Sequence, residues 1–379
     1  MLLEILSLLP TKDAIRTSIL SKRWEHMWTS LPHFQFDEGP LLQRYLLVNV
    51  VDRALLLHGP ANIEAFGFSF IVLGDSHRVN AWISAIVKWN VEELSISLQI
   101  IDEPVLLPDS LFTSATLVVL DLDMPCVFKV PRTICFSSLK CLSLKSVVFP
   151  DDCLTQQLFS GFPVLEDLSL TDCNWTNIIK FVSIYTPKLL ILTMIEGGVE
   201  VVRASKSSDG CQMMVFGDNL KQFNYKGEFL NECCICNSSS LNEAKIRVVD
   251  YSSKRLRRTA YRLYKLLRGL STVKHLTISY YIFEVVLDDA PELLAQLPLF
   301  NDLITLEFEG SVNIGSKPFL SMLHNCPCLQ TLIFLEGIEE SLNVAKDGDL
   351  EPLPPCFLSR MKEIEVYEFY GDLRITYMH

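Results

Sequence analysis

The sequence predicts an α/β protein in which a short all-helical N-terminal module precedes a curved solenoid with a parallel β-sheet on its concave face. Three observations support this fold class. A six-residue apolar pattern recurs through most of the chain, the segments between copies carry Leu and Phe at helical spacing, and residues 1–31 lack the pattern and read as short helices. We assign residues 1–38 to the helical module, 39–90 to a connecting region with a first repeat, 91–350 to the repeats and 351–379 to a C-terminal segment.

Composition and charge exclude several classes of protein. The 379 residues are 49% hydrophobic and 21% charged, with a mean hydropathy of +0.27, which is too apolar for a disordered chain. A net charge of −12 argues against a general nucleic-acid binder, because such proteins must neutralise phosphates.

The beginning of the chain does not resemble a secretion signal. Its apolar run is interrupted at Glu4 and Ser7, stops at Pro10 and has no preceding basic residues. No uninterrupted apolar run reaches the ~18 residues of a membrane span. We therefore expect a cytoplasmic or nuclear protein with no membrane partner, whose twelve cysteines are reduced.

The repeat has the form apolar-x-x-apolar-x-apolar. Successive starts lie between 21 residues apart, from Leu220 to Leu241, and 32 apart, from Leu241 to Val273. An earlier copy begins at Ile63, and Ala244 is the weakest inward residue because it has little volume. The eleven serial copies begin at Val91, Leu117, Leu139, Leu165, Leu189, Leu220, Leu241, Val273, Leu303, Leu329 and Met361.

The spacing within each copy predicts one strand of a shared sheet. Side chains alternate between the two faces of a strand, so the last two apolar positions point to the same side. One strand cannot bury that side alone, whereas parallel strands stacked in series can. Segments 150–164 and 315–328 suit short outer helices ended by Pro163 and Pro327. An ordinary α/β domain is the alternative, but it does not predict so regular a period.

The first thirty-one residues predict three short helices. The leucine-rich run from Leu2 to Leu9 forms the first, ended by Pro10. Thr11 is placed to cap the second helix, whose apolar side holds Ile15, Ile19 and Leu20. Ser21 is placed to cap a third helix that carries Trp24, Met27 and Trp28 on one face.

Two stretches of sequence resemble known plant domains. The run LLPTKDAIRTSILSKRWEHMW resembles the F-box that precedes leucine-rich repeats, and its most specific part is Leu20-Ser21-Lys22-Arg23-Trp24 followed by Trp28. The run PLPPCFLSRMKEIEVYEFYG, 352–371, resembles the opening of the FBD domain. An F-box opens about ten residues before the position of Met1, and the FBD-like segment ends early, so we expect a clipped F-box and a partial FBD.

The resemblance implies a substrate-recognition subunit of a Skp/cullin/F-box ubiquitin ligase. The F-box would dock on a Skp-type adaptor, and through it a cullin, while the repeats recruit an unknown target protein. Catalysis would belong to the assembly, so the chain is expected to be no enzyme and to need no cofactor or metal. The alternative is a leucine-rich-repeat scaffold outside any ligase, with a defective F-box.

Two sets of site residues follow. The resemblance places nine residues on the adaptor-facing side: Leu2, Ile5, Leu6, Leu9, Pro10, Ile15, Leu20, Trp24 and Trp28. The alternative to an adaptor-facing role is that several of these residues only close the small helical core. Trp24 is the candidate hot spot. The strand register places a second set on the concave face, where the signs run acidic, basic and acidic again: Asp121, Asp123, Lys145, Lys226, Lys245, Arg247, Glu307 and Glu309.

Two further signals favour structure over chemistry. The basic stretch 254–268 reads as a solvated outer helix anchored by Leu256, Leu263, Leu266 and Leu267, with a nuclear-import signal or a site for an acidic partner as alternatives. The clusters Cys233-Cys234-x-Cys236 and Cys326-x-Cys328 lack the paired spacing of a structural zinc site and read as ordinary thiols.

Overall fold

A computed structural model describes residues 2–38, 44–57, 63–100, 105–125, 127, 129–131, 133–149, 151–175, 179–197, 210–248, 256–288, 290–339 and 353–367. It divides into two compact units, Met1–Ile179 and Lys180–His379. Each unit is described by itself below.

The first unit contains a parallel ladder of strands that follow one another in chain order. The ladder runs β1 (His33–Asp37), β2 (Ala65–Val72), β3 (Glu93–Ile100), β4 (Val119–Asp123), β5 (Cys141–Lys145) and β7 (Asp167–Thr171). Two shorter strands, β6 (Val148–Phe149) and β8 (Asn174–Trp175), pair with each other.

The register of the ladder explains the six-residue pattern. Leu120 of β4 lies beside Leu142 of β5, which lies beside Leu168 of β7, and all three are buried. The first apolar residue of each copy precedes its strand by two residues, and Leu117, Leu139 and Leu165 are fully buried there. Each strand therefore adds the same three apolar positions to a continuous core.

Helices occupy the connections of the first unit. They are α1 (Leu2–Ser7), α2 (Thr11–Arg16), α3 (Arg44–Leu57), α4 (Ser76–Lys88) and α5 (Asp152–Ser160), with 3-10 turns at Thr17–Ile19, Met27–Ser30 and Asp109–Thr113. Asp151 caps α5 by accepting a hydrogen bond from the Leu154 amide at 2.9 Å, and the helix ends before Gly161 rather than at Pro163.

Two predictions about residues 2–30, hereafter the N-terminal helices, are wrong. Thr11 is the first residue of α2 rather than its cap, because its hydroxyl is used elsewhere. The helix predicted after Ser21 is a series of turns that closes with a single 3-10 turn at Met27–Ser30. A 3-10 turn suits this position because four residues are too few for a stable α-helix.

The second unit contains a parallel ladder of the same kind. It runs β10 (Ile191–Ile195), β12 (Gln222–Gly227), β14 (Glu243–Val248), β15 (His275–Ser279), β16 (Thr305–Glu309), β17 (Thr331–Phe334) and β18 (Glu363–Val366). Its helices are α6 (Leu256–Gly269), α7 (Tyr280–Asp288), α8 (Pro291–Leu294), α9 (Lys317–His324) and α10 (Pro355–Ser359). Ala244 lies between Phe223 and Leu276 in the ladder, so large neighbours flank the small residue.

The predicted α/β class with a parallel sheet is confirmed, and each of the twelve predicted copies forms a strand. Two features were missed. Residues 31–36, LPHFQF, carry the same pattern and form β1. A second parallel sheet forms where no copy was recognised, with β11 (Gln212–Phe216) between β9 (Phe181–Ile184) and β13 (Glu232–Cys236). Within the described residues, no helix combines the length and apolarity needed to span a membrane.

Candidate functional site

The N-terminal helices share a hydrophobic core with the first strands. Leu6, Ala14 and Trp28 are almost fully buried, and the Trp28 ring meets the edge of Phe34 on β1 at 6.4 Å between centroids. Phe34 in turn contacts Phe66 on β2 at 6.0 Å. A module of this size has too little interior to bury a tryptophan alone, so the first strands supply the missing surface.

A hydrogen bond fixes the N-terminal helices to the edge of the ladder. The backbone amide of Gln35 on β1 points away from β2 and donates a hydrogen bond to Thr11 Oγ1 at 2.8 Å. An edge strand otherwise presents unpaired amides to solvent, and covering them is a common way to protect an edge. This use of the Thr11 hydroxyl explains why it caps no helix.

The structure divides the nine predicted adaptor-facing residues into three groups. Leu6 and Trp28 are buried in the chain's own core, as the alternative anticipated. Leu2, Ile15 and Trp24 are half-buried, whereas Ile5, Leu9, Pro10 and Leu20 are exposed. No contact with an adaptor tests these roles, so they stay predictions.

Three exposed apolar residues of the N-terminal helices were missed. Leu8 and Ile19 are 85% and 86% exposed, and Leu3 is 42% exposed. Helical spacing in the sequence does not place Leu8 or Ile19, because α1 ends at Ser7 and α2 ends at Arg16. Together with Ile5, Leu9 and Leu20 they leave six exposed apolar side chains in eighteen residues, which is a common property of interaction surfaces.

The alternate positions of each ladder form an open face, whose side chains in both units are mostly polar and partly exposed. In the first unit it carries Asp121 and Asp123 on β4 and Lys145 on β5. Lys145 Nζ lies 2.8 Å from Asp123 Oδ2, and this hydrogen bond raises the pKa of Lys145. Asp121 Oδ2 accepts from Ser95 Oγ at 3.4 Å.

In the second unit the predicted basic segment of the open face is paired internally. Arg247 Nε on β14 lies 2.7 Å from both carboxylate oxygens of Glu309 on β16, reaching past β15. Lys245 Nζ lies 3.5 Å from Glu309 Oε1, while Glu307 is within 3.5 Å of the Thr277 hydroxyl. Lys226 is exposed one strand away. In the second unit, Lys245, Arg247 and Glu309 therefore form one ion-paired cluster rather than separate basic and acidic patches.

This pairing makes a pH-dependent contribution to stability that can be measured. Burial alone would raise the pKa of Glu309, but the Arg247 hydrogen bonds and the charges of Arg247 and Lys245 outweigh it and hold that pKa below its ordinary value of 4.5. The stabilisation is thus present above pH 4.5 and is lost as the pH falls through the lower folded-state pKa. Arg247→Met is expected to lower the free energy of unfolding by about 1 kcal/mol at pH 7, since the pair is partly exposed.

Urea unfolding of Arg247→Met at pH 7 and pH 3 checks this expectation. The difference from the unmodified chain should shrink toward zero at the lower pH. Lys226 on β12 is the residue paired with Arg247 in the ladder. Lys226→Met is expected to change the free energy of unfolding by under about 0.5 kcal/mol at either pH. An equal effect of Arg247→Met at both pH values would contradict the role given to Glu309.

Comparisons with known proteins match both parts of this arrangement. Residues 1–36 match the family model of the F-box domain. Residues 79–206 match the model for the leucine-rich repeats of FBD-associated F-box protein At5g56370. FBD-associated F-box protein At4g10400 of Arabidopsis thaliana is 31% identical, in an alignment that covers 98% of this chain and 84% of the relative. The chain belongs to the F-box/leucine-rich-repeat family.

Other relatives of the F-box/leucine-rich-repeat chain come from the same plant. F-box/LRR-repeat protein At3g59210 is 31% identical, with 88% of this chain and 71% of the relative aligned. Putative F-box/LRR-repeat protein At3g58880 is 28% identical over 98% of this chain and 84% of the relative. The resemblance identified from the residues is therefore confirmed, while the domain boundaries drawn from sequence stay predictions.

The basic helix α6 of this F-box/leucine-rich-repeat chain uses its charges within the second unit. Arg262 is buried, in contrast to the predicted solvated face, and donates to the carbonyls of Phe229 and Leu230 at 2.6 and 2.7 Å. Lys265 Nζ lies 2.6 Å from Glu232, and Arg257 lies 3.0 Å from Glu292. Leu263, Leu266 and Leu267 are buried as predicted, whereas the side chain of Leu256 lies outside the described residues. These contacts favour the structural interpretation of the stretch.

Arg262 belongs to a polar network that holds residues 228–231. The carboxylate of Glu196 accepts from the Tyr225 hydroxyl at 2.7 Å, the Leu230 amide at 2.9 Å and Asn231 Nδ2 at 2.7 Å. Burial raises the pKa of Glu196, and these hydrogen bonds act in the opposite direction. The segment is thus fastened through its amides by Glu196 and through its carbonyls by Arg262.

The cysteine clusters do not form a metal site within the described residues. Cys233 and Cys236 are separated by an odd number of positions on β13, so their side chains point to opposite faces of that strand. Cys233 and Cys326 are buried, and burial raises the pKa of both thiols. In the part of the chain that the structure describes, no group of three or more His, Cys, Asp or Glu residues is arranged to hold a metal ion.

Proposed function

We propose that this chain is the substrate-recognition subunit of a Skp/cullin/F-box ubiquitin ligase. Its N-terminal helices bind a Skp-type adaptor, and its repeats hold a target protein. The observation that carries the proposal is the set of exposed apolar side chains on an F-box whose interior is already filled by the chain's own first strands. Such side chains are available for a partner because the fold does not need them for its core.

The division of labour explains how a chain without a proposed nucleophile contributes to ubiquitin transfer. It raises the local concentration of the target near the conjugating enzyme and orients it, which accelerates transfer by proximity. The open face supplies the polar groups for target recognition. The proposed location is the cytoplasm or the nucleus, and the proposed partners exclude nucleic acid and membranes.

Binding of the purified chain to a Skp-type adaptor tests the proposal. Leu8→Asp combined with Leu20→Asp places charges at two exposed sites of the N-terminal helices, 85% and 65% exposed, so the fold should persist. We expect adaptor affinity to fall roughly thirtyfold or more, because interface hot spots contribute about 2 kcal/mol or more. Isothermal titration calorimetry measures the change.

A matched control applies the same substitutions away from the N-terminal helices. Leu56→Asp and Leu358→Asp alter side chains that are 83% and 70% exposed, and adaptor affinity should be unchanged. If the unmodified chain fails to bind any adaptor, the ligase proposal is overturned, and a repeat scaffold outside the ligase takes its place.

A further inference from the structure

A cavity of about 410 Å³ lies in the first unit, between the N-terminal helices and the open face of β1 to β4. One wall is formed by Leu9, Pro10 and Thr11, at the junction of α1 and α2. The floor is formed by paired positions of neighbouring strands, among them Ser95 of β3 and Asp121 of β4. Cavities that bind ligands are typically about 300–1,000 Å³, so this one has room for one long side chain and its neighbours.

At the β1 end of the cavity floor, the Gln35 side chain lies over Gly67. A Cβ atom at Gly67 would stand 1.8 Å from Gln35 Oε1, so any larger residue there would displace the Gln35 side chain. Gln35 Nε2 donates to Asp37 Oδ1 at 2.8 Å, which holds the amide in this position. The cavity therefore has a built polar rim rather than a chance gap between two elements.

The charged residues that line the cavity favour a cationic occupant. Glu93 and Asp121 line it on adjacent strands, and the described lining contains no lysine or arginine. The lining histidine, His33, lies 3.1 Å from the carboxylate of Glu64, which draws its ring toward a group outside the cavity. Asp121 is within 3.4 Å of the Ser95 hydroxyl, which leaves most of its acceptor capacity for a ligand.

The apolar wall adds a second requirement. Leu9 is 38% exposed and Pro10 is exposed, so an occupant can place aliphatic carbons against them. An arginine side chain combines an apolar stem with a planar cationic head that binds carboxylates in a forked arrangement. Lysine shares the stem but offers only a point charge.

We propose that this cavity receives an arginine side chain of the recruited target protein. The stem lies against Leu9 and Pro10, and the guanidinium donates to Glu93 and Asp121. The inference rests on the proposed function, because it assigns the occupant to the target rather than to the adaptor. It makes the N-terminal helices part of the specificity surface as well as the adaptor surface.

Selection from a phage-displayed library of random short peptides tests the inference. The selection is run on the full chain alone and on the full chain bound to its adaptor. Arginine should be enriched over the input library in both. A selected peptide is then synthesised with arginine or with the neutral analogue citrulline, and the citrulline peptide should bind at least about tenfold more weakly.

Two double variants with equal charge changes separate the cavity from general electrostatics. Glu93→Gln with Asp121→Asn should weaken the arginine peptide about tenfold and abolish its advantage over the citrulline peptide. Glu92→Gln with Asp109→Asn, exposed positions outside both the cavity lining and the predicted target-binding set, should leave both affinities unchanged. All four positions are exposed or half-exposed, so the fold should tolerate the changes.

The outcomes distinguish this inference from the proposed function. No arginine enrichment on a chain that still binds its adaptor overturns the inference alone. Enrichment that disappears when the adaptor is bound assigns the cavity to the adaptor and also overturns it. Enrichment on a chain that binds no adaptor supports the cavity while the ligase proposal fails.

Discussion

Trp28→Ala is expected to lower the free energy of unfolding of the first unit by about 3–5 kcal/mol, the range for deleting a buried aromatic side chain. Trp28 is 5% exposed and packs edge-on against Phe34 of β1. Its removal leaves a cavity at the junction of the N-terminal helices and the first strands. Phe34, Phe36 and Phe66 on those strands pack against one another, so they cannot readily move to fill the cavity.

Urea denaturation followed by circular dichroism measures this effect, and Trp24→Ala is the matched control. Trp24 is half-buried, so its replacement should lower the free energy of unfolding by about 1 kcal/mol. The two variants together decide which tryptophan serves the core and which is free for an adaptor. A larger loss of stability in Trp24→Ala than in Trp28→Ala would refute the assignment.

Arg262→Met is expected to lower the free energy of unfolding of the second unit by about 3 kcal/mol. Methionine fills a similar volume but cannot donate, so the carbonyls of Phe229 and Leu230 lose their partner. An unsatisfied buried acceptor costs about 1–3 kcal/mol, and two are affected here. The loss should extend to the segment that Glu196 holds from the other side, because both groups fasten the same residues.

Arg257→Met provides the control on the same helix. Its side chain is 80% exposed, and its ion pair with Glu292 is screened by solvent, so the free energy of unfolding should stay unchanged. Amide hydrogen exchange at Phe229 and Leu230 gives an independent measure. Faster exchange there in Arg262→Met, with unchanged exchange in β16, would show that the effect begins locally. Equal stability losses in the two variants would contradict the buried role of Arg262.

The strands could be predicted from the sequence because their signal is local and repeated. Each copy places two alternating apolar residues after a leading one, and the same spacing produced the missed β1 from Leu31, Phe34 and Phe36. That copy was missed because it follows the F-box motif directly. The second sheet of β9, β11 and β13 was not found in this way. Its strands follow leading residues at Ile179, Gly210 and Leu230, so the middle copy lacks the apolar leading residue and the series is interrupted.

The side-chain partners could not be predicted, because they join residues far apart in sequence. Thr11 has the sequence position of a helix cap, yet its hydroxyl binds an amide of β1. Arg262 has the spacing of an exposed helix face, yet it is buried against a loop that no local pattern identifies. Among the predicted adaptor residues, Leu6 and Trp28 could not be separated from Ile5 and Leu20 without knowing which side the first strands cover.

The link between the N-terminal helices and the ladder is very short. Only Leu31 and Pro32 separate the last 3-10 turn, Met27–Ser30, from β1, and Leu31 is buried. A flexible linker allows an attached domain to take many positions, whereas a short rigid connection holds it in one. A protein held on β1 to β4 would therefore stand at a set distance and angle from whatever holds the N-terminal helices. The distance between the two binding partners would then be set by the folded structure and not by the length of a flexible linker.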